Sequence, residues 1–191
     1  MALRIKSKWF KKDKDSFSDS ALQENGEALA FICWRLALDK AINLHGEDFV
    51  YDSDQQRVYV IGEYLALFVQ VADRHVYPRL NAHDRTVFIT ALANRLAEHM
   101  QDNCQDLFGM NDYKGPFIGL LNSRSESYAQ YDYSDETGPS YGMMRSFGTH
   151  VQKVMGDDHH VNKWVIDQVM EIDGPETLEK LIKAIDDLFD Y

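Results

Sequence analysis

The segment that most constrains the fold of this chain is DQQRVYVIGEYLALFVQVADRHVY, residues 54–77, because apolar side chains recur on nearly every side of a helix built from it. A helix of that kind is buried on most of its faces. Pro78 ends it, since the proline ring disfavours helical geometry at Tyr77 and supplies no N–H donor. The sequence therefore predicts one central helix that other helices must surround.

The rest of the chain supplies those helices. Helical spacing and terminal capping residues predict further helices over 19–44, 81–108, 143–156, 157–173 and 174–191. Residues expected to face inward from them include Ile42, Leu107, Val161 and Trp164. No strand pair stands out, and residues 122–142, with five serines and four tyrosines, predict mostly loop. We therefore expect one all-α domain over residues 16–191, a bundle of about six helices with a long polar Tyr-rich loop.

Cysteine usage and hydropathy predict a cytoplasmic protein. Cys33 and Cys104 lie far apart in apolar stretches, which is typical of buried free thiols in a reducing compartment, although one disulfide is a weaker alternative. The N-terminus lacks the apolar region of a signal peptide. The longest nearly uncharged run, residues 58–72, is shorter than the roughly 20 apolar residues that span a bilayer.

Charge is distributed unevenly along the chain. Residues 1–14 hold six of the 20 basic residues and one of the 31 acidic ones, which leaves 14 basic and 30 acidic residues for the remainder. The excess of acidic residues after residue 14 disfavours nucleic-acid binding by this acidic body of the protein. Residues 1–15 predict a flexible basic tail, which either lies against the acidic body or uses Trp9 and Phe10 to contact a partner or an anionic membrane.

Glu63 is the carboxylate most in need of explanation, because it is the only charged side chain from Val58 to Ala72. A lone buried charge is costly unless it is paired. The simplest prediction is an ion pair with Arg35, which is similarly isolated in the first helix. Alternatively, Glu63 is a functional carboxylate in an interhelical pocket, with Gln70 and Arg74 on the same polar stripe and Arg35 opposite, or it is simply exposed.

Several histidines stand near aspartates and are weak candidates for metal ligands. They are His75 and His83, which flank Pro78, and the adjacent His159 and His160. Their neighbours also suit helix ends, so a structural corner and helix caps explain the same residues without a metal.

The Tyr-rich loop is the remaining candidate for recognition. Tyrosines on a loop supply contact area at low entropic cost, so Tyr128, Tyr131, Tyr133 and Tyr141 predict a partner-binding surface. Alternatively, the loop folds back and its rings cover a gap in the core.

The function expected from these features is that of a non-enzymatic cytoplasmic module that binds another protein. The chain has no nucleophile elbow, phosphate-binding loop or dinucleotide fingerprint, and its sequence indicates no cofactor. One alternative is a small-molecule-binding protein or enzyme with a pocket around Glu63. The other is a peripheral membrane-surface protein that attaches through its basic tail.

Overall fold

The structure, a computed structural model, describes residues 17–46, 49–156 and 158–190. Over these residues the chain is an all-α bundle, which confirms the predicted fold class. Its elements in chain order are α1 (Asp19–Gly46), α2 (Asp54–Val76), α3 (Ala82–Phe108), α4 (Lys114–Tyr128), β1 (Tyr133–Ser134), β2 (Gly138–Pro139), α5 (Tyr141–Met155), a 3₁₀ helix (His160–Trp164), α6 (Val165–Asp167), a π helix (Gln168–Asp173) and α7 (Gly174–Phe189).

Helix α2 is central, as its composition predicted. It contacts α1, α3, α4, α5 and α7, and Tyr64, Leu67 and Phe68 are fully buried around it. Ser53 caps its N-terminus by accepting a hydrogen bond from the Gln56 amide. Every other long helix is therefore placed by packing on α2 or on its neighbours.

Helices α1 and α3 approach each other closely at Gly26. A Cβ atom on this residue would lie 2.7 Å from the Phe88 carbonyl oxygen and 2.9 Å from the Ala91 Cβ. Nearer the start of both helices, His83 Nε2 lies 3.0 Å from Asp19 Oδ1, so the two helices run side by side in the same direction. Glycine is needed at this crossing because backbone occupies the space that a side chain would take.

The predicted ends of α3 are confirmed. Asn81 accepts a hydrogen bond from the Asp84 amide at 3.0 Å, and Gly109 closes the helix at φ 87°. Ile42 and Leu107, in contrast, were expected to face inward and are exposed instead. In α1 the inward face is carried by Leu29, Cys33, Ala37, Ala41 and Leu44.

The loop predicted over residues 122–142 is shorter than expected. Helix α4 continues to Tyr128, and only residues 129–140 are irregular, apart from a hairpin in which Tyr133 pairs with Pro139. The helical period of α4 is carried by three buried side chains, Phe117, Leu121 and Tyr128, at spacings of four and seven residues. Serines on its other faces hid that period in the sequence.

Residues 157–173 were predicted to form one regular helix, and this was wrong. The segment winds as 3₁₀, α and π turns in succession, which leaves Val161 and Trp164 exposed and Asn162 buried. The Asn162 side chain binds both backbone groups of Val50 at 3.1 Å and donates to the Met155 carbonyl at 3.1 Å. Because the hydrogen bonds of this amide connect three segments, they stabilise the fold more than regular helical geometry of this segment would.

Cys33 and Cys104 are both free and buried, as predicted. In the part of the chain that the structure describes, no helix combines the length and the apolar character needed to cross a bilayer.

Candidate functional site

Glu63 is paired, but its partner is Arg124 and not Arg35. Arg124 Nε donates to Glu63 Oε2 at 2.7 Å, and Arg124 Nη2 donates to Glu63 Oε1 at 2.6 Å. Arg35 is exposed on α1, with its guanidinium 5.9 Å from the centre of the Phe31 ring. The predicted Glu63–Arg35 pair is therefore wrong, although the prediction that Glu63 is buried and paired is correct.

The sequence reading missed Arg124 because it fell in the segment predicted as loop. In the structure α4 lies beside α2, which brings Arg124 against the one charged position of the central helix. The hydrogen bond to Glu63 raises the pKa of Arg124 although burial opposes this. A helical reading of residues 117–128, from the spacing of Phe117, Leu121 and Tyr128, would have found the pair.

Glu63 also lines a cavity of about 460 Å³, which we call the Glu63 groove. It lies between α2, α3 and α4, with Val154 of α5 at one side. Its walls are mainly apolar and include Gly62, Met100, Cys104, Phe117 and Leu120. An apolar cavity of this size with a few polar groups is typical of a small-molecule site.

The polar groups of the groove include two carboxylates. Glu63 and Asp112 both line it, and among the described residues no lysine, arginine or histidine does. Asp112 Oδ1 accepts from the Gly115 amide at 3.0 Å, and Gln55 Nε2 donates to the Tyr59 hydroxyl at 2.7 Å. The groove therefore presents two carboxylates beside apolar walls, and that of Glu63 is already paired with Arg124.

The aromatic side chain of Tyr128 is buried on the inner side of the Glu63–Arg124 ion pair. Its ring meets that of His150 edge to face, with centroids 6.1 Å apart, and its buried hydroxyl has no hydrogen-bond partner among the described residues. Burial lowers the pKa of His150, and the Arg124 charge lowers it further. A neutral imidazole and an unpartnered phenol thus surround the Glu63–Arg124 pair.

Gln70 and Arg74 do not share the Glu63 groove. They line a separate cavity of about 570 Å³, the Arg74 cleft, together with Ser125 and Tyr133. Arg74 Nη2 donates to the Ala129 carbonyl at 3.5 Å, which is the long limit of a hydrogen bond. The four residues predicted to form one ligand pocket are therefore divided: Glu63 lines one cavity, Gln70 and Arg74 line another, and Arg35 lies on the surface.

The histidines proposed as weak metal ligands are separated in the fold. His75 is buried, with Nε2 2.8 Å from Asp186 Oδ1 and Nδ1 3.3 Å from the Tyr133 hydroxyl. His83 pairs with Asp19, as above, and His159 Nε2 lies 2.7 Å from Asp52 Oδ1. His160 is exposed. No group of three or more histidine, cysteine, aspartate or glutamate side chains arranged to hold a metal ion occurs within the described residues.

Three of the four tyrosines proposed for partner binding turn inward. Tyr128 is fully buried, Tyr131 and Tyr133 pack against the core, and only Tyr141 is exposed. This arrangement matches the alternative in which the segment covers the core. The other two candidates, Trp9 and Phe10, lie outside the described residues, as does the basic segment that holds them.

A buried ionic network between α1, α2 and the start of α7 was not foreseen from the sequence. Lys40 Nζ lies 3.3 Å from Asp173 Oδ1 and 2.5 Å from Glu176 Oε2, and the Tyr64 hydroxyl donates to Asp173 Oδ2 at 3.3 Å. Burial raises the pKa of Asp173 although Lys40 opposes this. The sequence feature that could have indicated this network is Lys40, which lies one residue before Ala41 on the inward face of α1.

The reactive groups in the lining of the Glu63 groove are a thiol and two carboxylates. Cys104, the thiol that lines it, contacts Met100 Sδ at 3.5 Å, and burial raises its pKa, so the thiol is a weak nucleophile. The carboxylate of Glu63 is held in place by two hydrogen bonds from Arg124. Comparisons with protein-family models, with curated proteins and with solved structures find no match for this chain.

Proposed function

We propose that this chain is a cytoplasmic, non-enzymatic binding protein that takes a small apolar molecule with an amine head group into the Glu63 groove. The observation that carries the proposal is the apolar cavity of about 460 Å³ with a buried carboxylate in its lining. The two buried free thiols support a reducing compartment.

The size and lining of the groove support an apolar ligand. Binding pockets for small molecules are commonly about 300–1,000 Å³ and mainly apolar. Removing apolar ligand surface from water contributes roughly 25 cal/mol per Å². Gly62 also supports an apolar ligand. A Cβ atom at this position would lie 3.1 Å from the end of the Leu120 side chain and 3.9 Å from that of Met100, so the absence of a side chain on Gly62 leaves space beside apolar groups.

The charge of the lining supports an amine over an acid. Each carboxylate oxygen of Glu63 accepts one hydrogen bond from Arg124, and an ionised carboxylate has about four acceptor positions in all. Further acceptor positions therefore remain for a donor, and Asp112 adds a second negative charge. An anionic head would meet both carboxylates, of which Arg124 compensates only that of Glu63.

Isothermal titration calorimetry with octylamine and octanoate tests the proposal, because the two probes share an alkyl chain and differ in charge. We expect octylamine to bind the wild-type protein, octanoate to give no measurable heat of binding, and Gly62→Leu to abolish octylamine binding by filling the groove. Gly119→Leu is the matched control, since Gly119 lies on the exposed face of α4 with open space around it. Equal binding of both probes, or octylamine binding that survives Gly62→Leu, would contradict the proposal.

A second candidate function, protein–protein interaction, is favoured by the outward face of α1. Phe31, Leu38 and Ile42 are 55%, 37% and 56% exposed, and with Arg35 they follow the alternating four- and three-residue spacing of a coiled-coil seam. The partner that this spacing fits best is the same face of a second copy of the chain.

Sedimentation velocity over a wide range of protein concentration tests this second candidate. We expect weak self-association that Phe31→Ser abolishes and that Arg35→Leu strengthens, because the substitution replaces the one charge in the seam with an apolar residue. A protein that stays monomeric throughout, in the wild type and in Arg35→Leu, would exclude self-association through α1.

A further inference from the structure

The Arg74 cleft is built from residues on four parts of the chain. Gln70 and Arg74 are four residues apart on α2 and therefore lie on one face of the helix. Ser125 comes from α4, Tyr133 from β1, and Tyr77 follows the end of α2. Polar donors from separate elements thus converge on one cavity of about 570 Å³.

Gln70 is the first sign that this cavity takes a ligand. Gln70 is only 7% exposed and no hydrogen bond joins its side chain to a described residue, yet its amide atoms are not among the fully buried polar atoms that lack a partner. The amide is therefore accessible from the cleft, and its two N–H donors are available to a molecule that enters. Since Gln70 lines the cleft, a bound molecule there can satisfy it.

Arg74 is the second sign. No carboxylate of the described residues lies within ion-pair distance of its guanidinium, and its one hydrogen bond, to Ala129, is 3.5 Å long. Arg85, the other arginine of the cleft, is committed elsewhere: its Nε lies 3.5 Å from Asp73 Oδ1, and its guanidinium lies 4.8 Å from the centre of the Tyr77 ring. Arg74 is therefore the cation in the cleft with most of its donors unused.

The acidic residues of the cleft leave room for a negative ligand. The charge of Asp73 is offset by Arg85 first and by Arg74 second, and Asp135 is exposed on the hairpin turn, where water and salt screen its charge. The net charge of −11 on the whole chain repels anions at long range, but this repulsion falls off within about 8 Å at physiological ionic strength. Short-range donors therefore decide what the cleft binds.

We propose that the Arg74 cleft is a binding site for a small oxyanion, a carboxylate or phosphate group, held by the Arg74 guanidinium and the Gln70 amide with the Ser125 hydroxyl as a third donor. A planar guanidinium offers two parallel N–H groups to such an anion, and the amide adds a further N–H. This site is separate from the Glu63 groove and has the opposite charge preference, so it does not depend on the function proposed for that groove.

Nuclear magnetic resonance of the full chain tests the site directly, because the Gln70 side-chain amide gives its own pair of signals. The protein is titrated with sodium phosphate, with sodium acetate and with sodium chloride at matched ionic strength. We expect saturable shifts of the Gln70 amide and of the Arg74 guanidinium with phosphate or acetate and none with chloride. The anion that binds more tightly distinguishes a phosphate site from a carboxylate site. Equal shifts with chloride would overturn the proposal.

Two substitutions complete the test. Arg74→Gln removes the charge but little packing, and we expect it to weaken binding of the preferred anion by roughly tenfold or more. Arg95→Gln is the control, since Arg95 is an exposed arginine that pairs with Glu98 at 2.8 Å elsewhere on the surface. Gln70→Leu should also weaken anion binding, because it removes the amide donors. Unchanged anion binding in Arg74→Gln or in Gln70→Leu would contradict the site.

Discussion

Glu63 and Arg124 hold each other through two parallel hydrogen bonds of 2.6 and 2.7 Å across the interface between α2 and α4. The carboxylate is almost completely buried, whereas the guanidinium keeps about a fifth of its side-chain surface exposed. Two-point pairing fixes the direction of both side chains as well as their separation. The pair therefore locks α4 to the central helix and orients the carboxylate at the wall of the Glu63 groove.

Breaking this pair from the arginine side should destabilise the protein. Arg124→Met leaves the Glu63 carboxylate buried without a partner, and we expect it to lower the free energy of unfolding by about 3 kcal/mol. Replacing both residues with methionine should recover much of this loss, because an apolar pair of similar volume needs no charge compensation. Urea denaturation followed by circular dichroism measures both effects.

The control for that experiment is Arg35→Met, which alters an exposed residue and should change the free energy of unfolding by no more than about 0.5 kcal/mol. If Arg124→Met were as mild as Arg35→Met, the pair would have no structural role.

Two buried tyrosines should respond in opposite ways to loss of their hydroxyl groups. The Tyr128 hydroxyl has no hydrogen-bond partner among the described residues, so Tyr128→Phe should leave stability unchanged or raise it by about 1 kcal/mol. The Tyr64 hydroxyl donates to Asp173, so Tyr64→Phe should lower stability by about 1 kcal/mol. Thermal unfolding of the two variants beside the wild type checks the contrast, and a clear loss in Tyr128→Phe would mean that its hydroxyl is satisfied.

The extent to which the sequence predicted this fold depended on how many apolar residues mark each helix. Helix α2 was predicted correctly because apolar residues lie on nearly all of its sides. The ends of α3 were predicted correctly from Asn81 and Gly109. Helix α4 was cut short because three buried residues among serines carry its period. Local winding after α5 depended on Asn162, whose partner Val50 is distant in sequence and could not be predicted from residue spacing.

The candidate sites were only partly predictable, and for a related reason. That Glu63 must be buried and paired followed from its isolation in an apolar helix. The identity of its partner depended on which helix packs beside α2, and this is a property of the tertiary arrangement. Gln70 and Arg74 share a helix face with Glu63 in sequence, yet the course of α4 divides that face between two cavities. Spacing gives the face of a helix but not the neighbour that covers it.

Acid should weaken the contacts made by Glu176. Its hydrogen bonds to Lys180 and Lys40 lower its pKa to about 2. A carboxylate with a lowered pKa in the folded state stabilises the fold above its unfolded pKa, near 4.5, and this contribution is lost as the pH falls toward 2. The stability difference between the wild type and Glu176→Gln should therefore be largest near neutral pH and shrink between pH 4.5 and 2. Urea denaturation at a series of pH values measures it, and a difference that grew on acidification would refute the assignment.

The two cysteines should differ in reactivity, because only Cys104 lines the Glu63 groove. Burial raises the pKa of both thiols, so both should react slowly with iodoacetamide in the native protein. Cys33 is fully enclosed in the core, and we expect Cys104 to be alkylated first, as measured by mass spectrometry of the digested protein. Denaturant should abolish the difference in alkylation rate, which controls for the reagent.

If the groove binds octylamine, the amine should slow alkylation of Cys104 and leave that of Cys33 unchanged. Faster alkylation of Cys33 would show that the core between α1 and α3 opens before the groove does, and the assignment of the groove as the accessible cavity would fail.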